Sequence, residues 1–327
     1  MDRREFMALI GGAMVCADDA RAQAQEPVRR IGLLTTLGSD DPEAQTRNDA
    51  FVQALHELGW VAGRNVKIDI RQVGTEIARA NSYAEELVAL APDVILSIGS
   101  ATVGKLQQVT HTIPIVFVNA PDPVGAGFVQ TMAHPGGNIT GFSNFEYSIS
   151  GKWAELLKQV VPDLRRALVL RDPTSAAGIG QFAAVRSVAQ SMGIELTPVD
   201  VRNNDEIENR ITVFARTGNG GMIVTSGNTG ARRAAIIDVA ARYRLPAIYP
   251  YRYYAVDGGL ITYGPNTLDV IRRAAGYVDR ILKGEKPAGM PVQAPTKYEL
   301  IFNLKTAQKL GITIPQSLLA VADELIE

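Results

Sequence analysis

Two similar, Rossmann-like α/β lobes, each built round a parallel sheet, are the fold this sequence predicts. Three observations carry that expectation. Short apolar runs alternate with amphipathic segments, the pattern of parallel βαβ units with right-handed crossovers. The order of segments then runs a second time, at a roughly constant offset of about 130 residues. Finally, a chain of 327 residues that is 46% apolar is long enough to bury two cores.

In the first half, Ile31–Thr35 reads as a strand, and Asp49–Leu58 as a helix with Phe51, Leu55 and Leu58 on one stripe. Gly59 ends that helix, because glycine takes the left-handed cap at no steric cost. Val66–Ile70 is a strand, Ala78–Leu90 a helix, Val94–Ile98 a strand, Val103–Val109 a short helix and Ile115–Val118 a fourth strand. In the second half, Ala167–Leu170 matches the first strand, and the helix through Phe182–Met192 stops at Gly193 as its counterpart stops at Gly59. Ile194–Val199, Met222–Thr225 and Ala247–Tyr249 follow as second, third and fourth strands, with Pro114 and Pro246 each introducing a fourth strand. No low-complexity linker parts the halves, so the lobes are expected to exchange strands and share a hinge.

Residues 1–24 lie outside this pattern and read as a signal peptide. Arg3 and Arg4 precede the uncharged run Phe6–Ala17, and Ala20-Arg21-Ala22 and Ala22-Gln23-Ala24 are small-x-small cleavage candidates. The apolar run is too short to span a bilayer, and Arg-Arg-Glu-Phe looks like a twin-arginine export signal. Cleavage after Ala22 or Ala24 would deliver the protein to the periplasm. It removes the one cysteine, Cys16, and leaves a formally neutral chain. Lipidation at Cys16 is the minor alternative, since Val15 stands where lipoprotein signal peptidases prefer Gly or Ala.

Ligands of open parallel sheets sit beyond the carboxyl ends of the strands. The residues there are therefore the site candidates. Thr35 and Thr36 follow the first strand; Ser100, Ala101 and Thr102 follow the third; Asn119 and Asp122 follow the fourth. Ser226 and Asn228 occupy the place of Ser100–Thr102 in the second half. The Ser100–Thr102 helix start suits a carboxylate, although plain N-capping explains Ser and Thr there equally well. Asp122, between two prolines, is placed to receive an ammonium or hydroxyl donor, or is a solvated turn aspartate. Four of the ten tyrosines crowd into residues 249–254; Tyr251 and Tyr254 are the candidates for a ring contact, and Tyr249 reads as core. Asn144 and Phe145 approach from the segment after Gly141.

Other functions are disfavoured. Lys plus Arg is 33 against 34 for Asp plus Glu, so no basic excess exists to hold a nucleic acid. His56, His111 and His134 lack metal-ligand spacing, no nucleophile or phosphate-loop motif occurs, and Gly125-Ala-Gly127 lacks the third glycine of a dinucleotide fingerprint. The residues imply no catalysis, no metal and no cofactor.

Several segments together resemble the ABC transporter substrate-binding family that includes tryptophan-binding TrpX-like proteins, a branch of the type I periplasmic binding proteins. They are Gly63–Val66, Thr112–Phe117, Asp122–Gly125, Pro135–Gly141, Leu245–Tyr249, Gly258–Pro265, Lys283-Gly284, Pro295–Leu300, Asn303–Ala307 and Ala322–Glu324. The resemblance spans essentially the whole chain after the leader, although Asp18 and Asp19 depart from the family's common twin-arginine form. It implies a three-segment hinge near Gly141, Tyr263 and Pro295. Residues 28–141 plus 264–294 would form lobe 1, and residues 142–263 plus 295–327 lobe 2. It further implies a monomer that captures a small solute between closing lobes and delivers it to an inner-membrane ABC permease and its ATPase. An amino acid or aromatic carboxylate is the expected solute. The alternatives are a sugar, or a periplasmic ligand sensor acting on a signalling partner.

Overall fold

Parallel strand pairing organises both halves of the chain. The computed structural model describes residues 27–327 save 75, 77, 145, 146, 202, 203 and 228, so the leader and candidates Phe145 and Asn228 lie outside the described residues. The first sheet holds β1 (Arg29–Thr35), β2 (Val66–Gln72), β3 (Val94–Ile98), β4 (Ile115–Val118) and β5 (Ile139–Phe142), in the order β2-β1-β3-β4-β5 and parallel throughout. The second holds β6 (Arg166–Arg171), β7 (Glu195–Asp200), β8 (Gly220–Val224), β9 (Ala247–Tyr249), β10 (Ile261–Pro265), β11 (Tyr298–Asn303) and β12 (Glu324–Ile326). Its order is β12-β11-β10-β9-β8-β6-β7, with only the β10–β11 pairing antiparallel.

The two orders share one pattern. In each, the second strand flanks the first, and the third and fourth follow on the other side. The repeat read in the sequence is thus a repeat of topology.

The first lobe carries helices α1 (Pro42–Glu57), α2 (Arg79–Ala89) and α3 (Ser100–Val109). The second carries α4 (Gly151–Val160), α5 (Ala176–Ser191), α6 (Asn204–Ala215), α7 (Arg233–Arg242) and α8 (Arg252–Val256). After β10, α9 (Thr267–Leu282) returns to the first sheet and packs on α1; α10 (Leu304–Leu310) and α11 (Gln316–Leu319) close the second lobe. Ile31, Leu33, Phe51, Val94 and Leu96 join α9 residues Ile271, Ala274 and Val278 in one core of the first lobe, under one face of its sheet. Leu34, Ile95, Ile115 and Phe117 form a second core on the other face, against α2 and α3. The second lobe has a single larger core around Trp153, Leu168, Leu170, Ile223 and Ile248. No helix among the described residues is long and apolar enough to cross a membrane.

Helix starts differ most from the sequence expectation, and the reason is local. α1 begins at Pro42, well before the expected Asp49, because Asp41 caps it by accepting from Glu43 N at 2.9 Å and Pro42 occupies its first turn. α5 likewise starts at Ala176, where Ser175 Oγ accepts from Gly178 N at 3.0 Å. Helix ends follow expectation: Gly59 and Gly193 both have positive φ.

Three segments pass between the sheets side by side. The first leaves β5 after Phe142; Ser143 N and Gln293 O are bonded at 2.9 Å, and Gln293 N reaches Gly141 O at 3.0 Å. The second follows β10, which stays in the second sheet to Pro265, two residues beyond the expected Tyr263 limit. The third, residues 293–297, lies against the first two, with Asn266 N donating to Lys297 O at 3.1 Å. Gly141 sits at this hinge with φ of 152°, and a Cβ there would stand 2.0 Å from Phe117 O. Gly141→Ala is expected to destabilise the protein by roughly 2–4 kcal/mol, read as a lower midpoint in denaturant unfolding; an unchanged midpoint would show that the hinge strand can shift freely.

Candidate ligand-binding site

The strand order creates the site. In a sheet ordered second-first-third-fourth, the loops leaving the first and third strands diverge to opposite faces and open a crevice at their carboxyl ends. Here both sheets turn such crevices toward one another, and a single cleft of about 580 Å³ lies between them, within the range of small-molecule sites. Thr36 and Leu37 after β1, and Gly99, Ser100 and Ala101 after β3, form one wall. The facing wall comes from the equivalent loops: Asp172 and Thr174–Ala177 after β6, and Gly227 and Gly230 after β8. Gly99 has φ of 105°, and a Cβ there would press on Thr36 at 2.9 Å, so a side chain would push these two loops apart.

Asn119, with φ of 61°, and Asp122 line the cleft after β4. Asp122 Oδ1 accepts from Gly125 N at 2.8 Å, which fixes the carboxylate on the loop. Burial, with the Asp122 charge added, pushes the Tyr147 phenol above its ordinary range. Asn144 and Tyr251 also line the cleft and touch, Asn144 Nδ2 donating to Tyr251 Oη at 2.7 Å. Burial pushes the Tyr251 phenol up to about 12, with Arg47 and hydrogen bonds to Ser226 and Asn144 opposing the shift. The ring therefore meets the cleft as a neutral phenol.

Four expected residues point elsewhere. Tyr254 is fully buried; it follows Tyr251 by one helical turn of α8, and its hydroxyl donates to Thr229 Oγ1 at 2.9 Å beneath the cleft floor. Thr35 Oγ1 accepts from Leu37 N at 3.3 Å and holds the turn. Thr102 Oγ1 accepts from Ser97 Oγ and donates back to Gly99 O, so it neither faces the cleft nor caps the helix, whose cap position is Gly99. Ser226 is buried and paired with the Gln181 amide at 2.7 Å.

Tyr253 takes the place expected of Tyr254. It stacks on Tyr251 with centroids 5.4 Å apart and on Tyr254 at 4.9 Å, and Tyr254 stacks on Tyr249 at 4.9 Å. All four tyrosines thus form one ladder whose open end, Tyr251 and Tyr253, reaches the cleft. Two guanidinium groups lie near the Tyr253 ring, Arg47 at 5.4 Å and Arg233 at 5.2 Å from its centroid.

Arg47 was not expected. It lies on the stripe Ala44, Arg47, Asn48, Phe51, Ala54 and Leu55 that α1 buries, so a charged group occupies the core-facing phase of the helix at its cleft end. Glu43 accepts from Arg47 Nε at 2.8 Å. Burial works against the guanidinium's charge, but Glu43 together with Tyr253 and Tyr251 outweighs it, and the pKa stays above its ordinary value. Carrying the Phe51–Leu55 stripe back one turn in the sequence puts position 47 on the same helix face, although not yet in the cleft. Asp172 and Thr174–Ala177 were equally legible, since they follow β6 as Thr36 follows β1.

One ion pair bridges the lobes beside the cleft. Arg233 of α7 grips Asp41, the α1 cap, through two bonds, Nη1 to Oδ2 at 2.5 Å and Nη2 to Oδ1 at 2.8 Å, while Asp257 binds its Nε. The Arg233 and Asp41 side chains are only 12% and 11% exposed, so solvent screens the pair little. Asp41→Asn keeps a capping oxygen but removes the charge. That variant is expected to have a larger radius of gyration by small-angle scattering than the parent; equal radii would show that the bridge does not hold the lobes together.

Comparisons with known proteins agree with this architecture. A family model described as ABC transporter substrate binding protein matches residues 39–326. A tyrosine-binding protein of Clostridioides difficile is 23% identical over 273 residues, covering 84% of this chain and 79% of that one. A solved ABC domain from Streptococcus pneumoniae in complex with L-Trp superposes with a TM-score of 0.83 at 25% identity, covering 91% of this chain and 99% of the other. A conserved domain protein from Vibrio cholerae does so with a TM-score of 0.83 at 26% identity and the same coverage.

Proposed function

The chain belongs to the ABC transporter substrate-binding protein family, and from that premise we propose that its solute is an amino acid with an aromatic ring. Proteins of this kind bind small molecules for a membrane permease and carry out no catalysis; the fold is the two-lobed type I periplasmic binding fold. The observation that carries the solute reading is the pattern on the cleft wall. Arg47 and Arg232 stand there with Asp122 and Asp172, charges of both signs around the open end of a tyrosine ladder. A zwitterion with a flat apolar part is the complement of such a wall. The names of the relatives, a tyrosine-binding protein and a complex with L-Trp, support the same class.

Binding closes the lobes, and closure gives the permease a single surface formed by both of them. The bidentate Arg233–Asp41 bridge favours that closed arrangement. A thermal-shift screen of L-tryptophan, L-tyrosine, aliphatic amino acids and sugars tests the solute class. A ligand at a hundred times its Kd adds about 2.7 kcal/mol of stability, a rise of several degrees for a chain of this size. The aromatic amino acids are expected to give it, and Asp122→Asn and Tyr251→Ala are each expected to weaken their binding by about 1.5–3 kcal/mol in calorimetry. A shift with a sugar alone would replace the amino acid by a sugar.

The mature protein works as a periplasmic monomer and hands its solute to a permease driven by an ATPase. Export rests on the Arg3-Arg4 start, the Phe6–Ala17 run and the alanines at 20, 22 and 24. Native mass spectrometry of a periplasmic fraction is expected to show one chain beginning at Gln23 or Gln25. A mass that retains Met1, or a dimer mass, would contradict this.

A further inference from the structure

Among the described residues, two that line the cleft each carry a buried polar atom with no hydrogen-bond partner, Arg47 Nη2 and Asn144 Oδ1. Both side chains are otherwise held in place. Arg47 Nε is tied to Glu43 at 2.8 Å, and Asn144 Nδ2 to Tyr251 Oη at 2.7 Å, so neither group can turn away without giving up a bond. Arg47 is 4% exposed and Asn144 1%. A buried donor or acceptor left unpaired costs more than a hydrogen bond gains, and the cost is larger for a charged group.

The two atoms are opposite in kind. A guanidinium nitrogen only donates, and an amide oxygen only accepts. The cleft therefore asks for an acceptor at one point and a donor at another. Other features of the wall sharpen the demand. The starts of α3 and α5, one from each lobe, open on the cleft with the positive ends of their dipoles. Asp122 and Asp172 supply negative charge on the same wall. Glu43 engages Arg47 through Nε, which leaves Nη2 to the solute.

We infer that Arg47 and Asn144 read the two ends of an α-amino acid, Arg47 Nη2 donating to the carboxylate and Asn144 Oδ1 accepting from the ammonium, an assignment that rests on the amino-acid reading above. The carboxylate contact thus centres on a guanidinium of α1, with the α3 start in support, rather than on the hydroxyls of Ser100 and Thr102. Tyr253 lies beside Arg47 from the other lobe, so the carboxylate is met where the two lobes come together.

The test is calorimetry on the mature chain with three matched probes: L-tryptophan, tryptamine without the carboxylate, and indole-3-propionate without the ammonium. The tyrosine series, with tyramine and 3-(4-hydroxyphenyl)propionate, serves equally. The parent protein is expected to bind each truncated probe about 10- to 150-fold more weakly than the amino acid. In Arg47→Met the preference for L-tryptophan over tryptamine collapses to within about threefold, and Arg47→Lys restores part of it. In Asn144→Leu the preference over indole-3-propionate collapses in the same way. Should Arg47→Met fail to fold, the parent's ranking of the probes and the Arg47→Lys variant still decide. If the parent binds neither L-tryptophan nor L-tyrosine, the amino-acid reading falls and this assignment with it. If the parent binds them but Arg47→Met keeps the parent's preference, or tryptamine binds the parent as well as L-tryptophan, only this assignment is overturned.

Discussion

The cleft exists because parallel strands bring all their carboxyl ends to one edge of a sheet. With the order second-first-third-fourth, the loops after the first and third strands part to opposite faces, and the gap between them admits a ligand. The same order in both lobes turns two such gaps toward each other. Short loops suffice, since the sheets themselves carry the positioning. Thr36, Ser100 and Ala101 on one wall, and Thr174, Ser175 and Ala176 on the other, each lie within a few residues of a buried strand.

That arrangement concentrates cost at the cleft. Arg47 stands on the apolar face of α1, where a charge is tolerated because Glu43 pairs with it and Tyr253 lies beside it. Asn144 is held by a phenol that burial keeps neutral. Such partly satisfied polar groups cost stability in the free protein, a cost that a partner supplying the missing hydrogen bonds removes. The hinge concentrates constraint of another kind. Gly141 lets β5 pass within touching distance of Phe117 while hydrogen bonds tie it to Gln293, so the three crossing segments behave as one ribbon. The Arg233–Asp41 bridge lies away from that ribbon, next to the ladder end, and links the lobes across the opening.

The sequence by itself determined the elements and their repetition. Apolar runs such as Val94–Ile98 and Ile115–Val118 became strands with the expected limits, because a strand buried on both faces needs an unbroken apolar run. Gly59 and Gly193 closed their helices because only a residue free to take positive φ ends a helix there cheaply. Strand ends also marked the loops that face the cleft, since the site follows from strand direction. Tertiary structure decided which side chains in those loops look outward. Tyr254 and Tyr253 are adjacent and chemically identical, yet the rotation of about 100° between neighbouring residues of α8 sends the first to Thr229 and the second to the cleft. Thr102 and Ser226 have the right chemistry but spend it on Ser97 and Gln181. Arg47 could be placed in the cleft only once α1 was known to start at Pro42 and to pack its inner stripe against the first sheet. Local pattern reports the path of the backbone; the partner that each polar atom finds depends on residues remote in sequence.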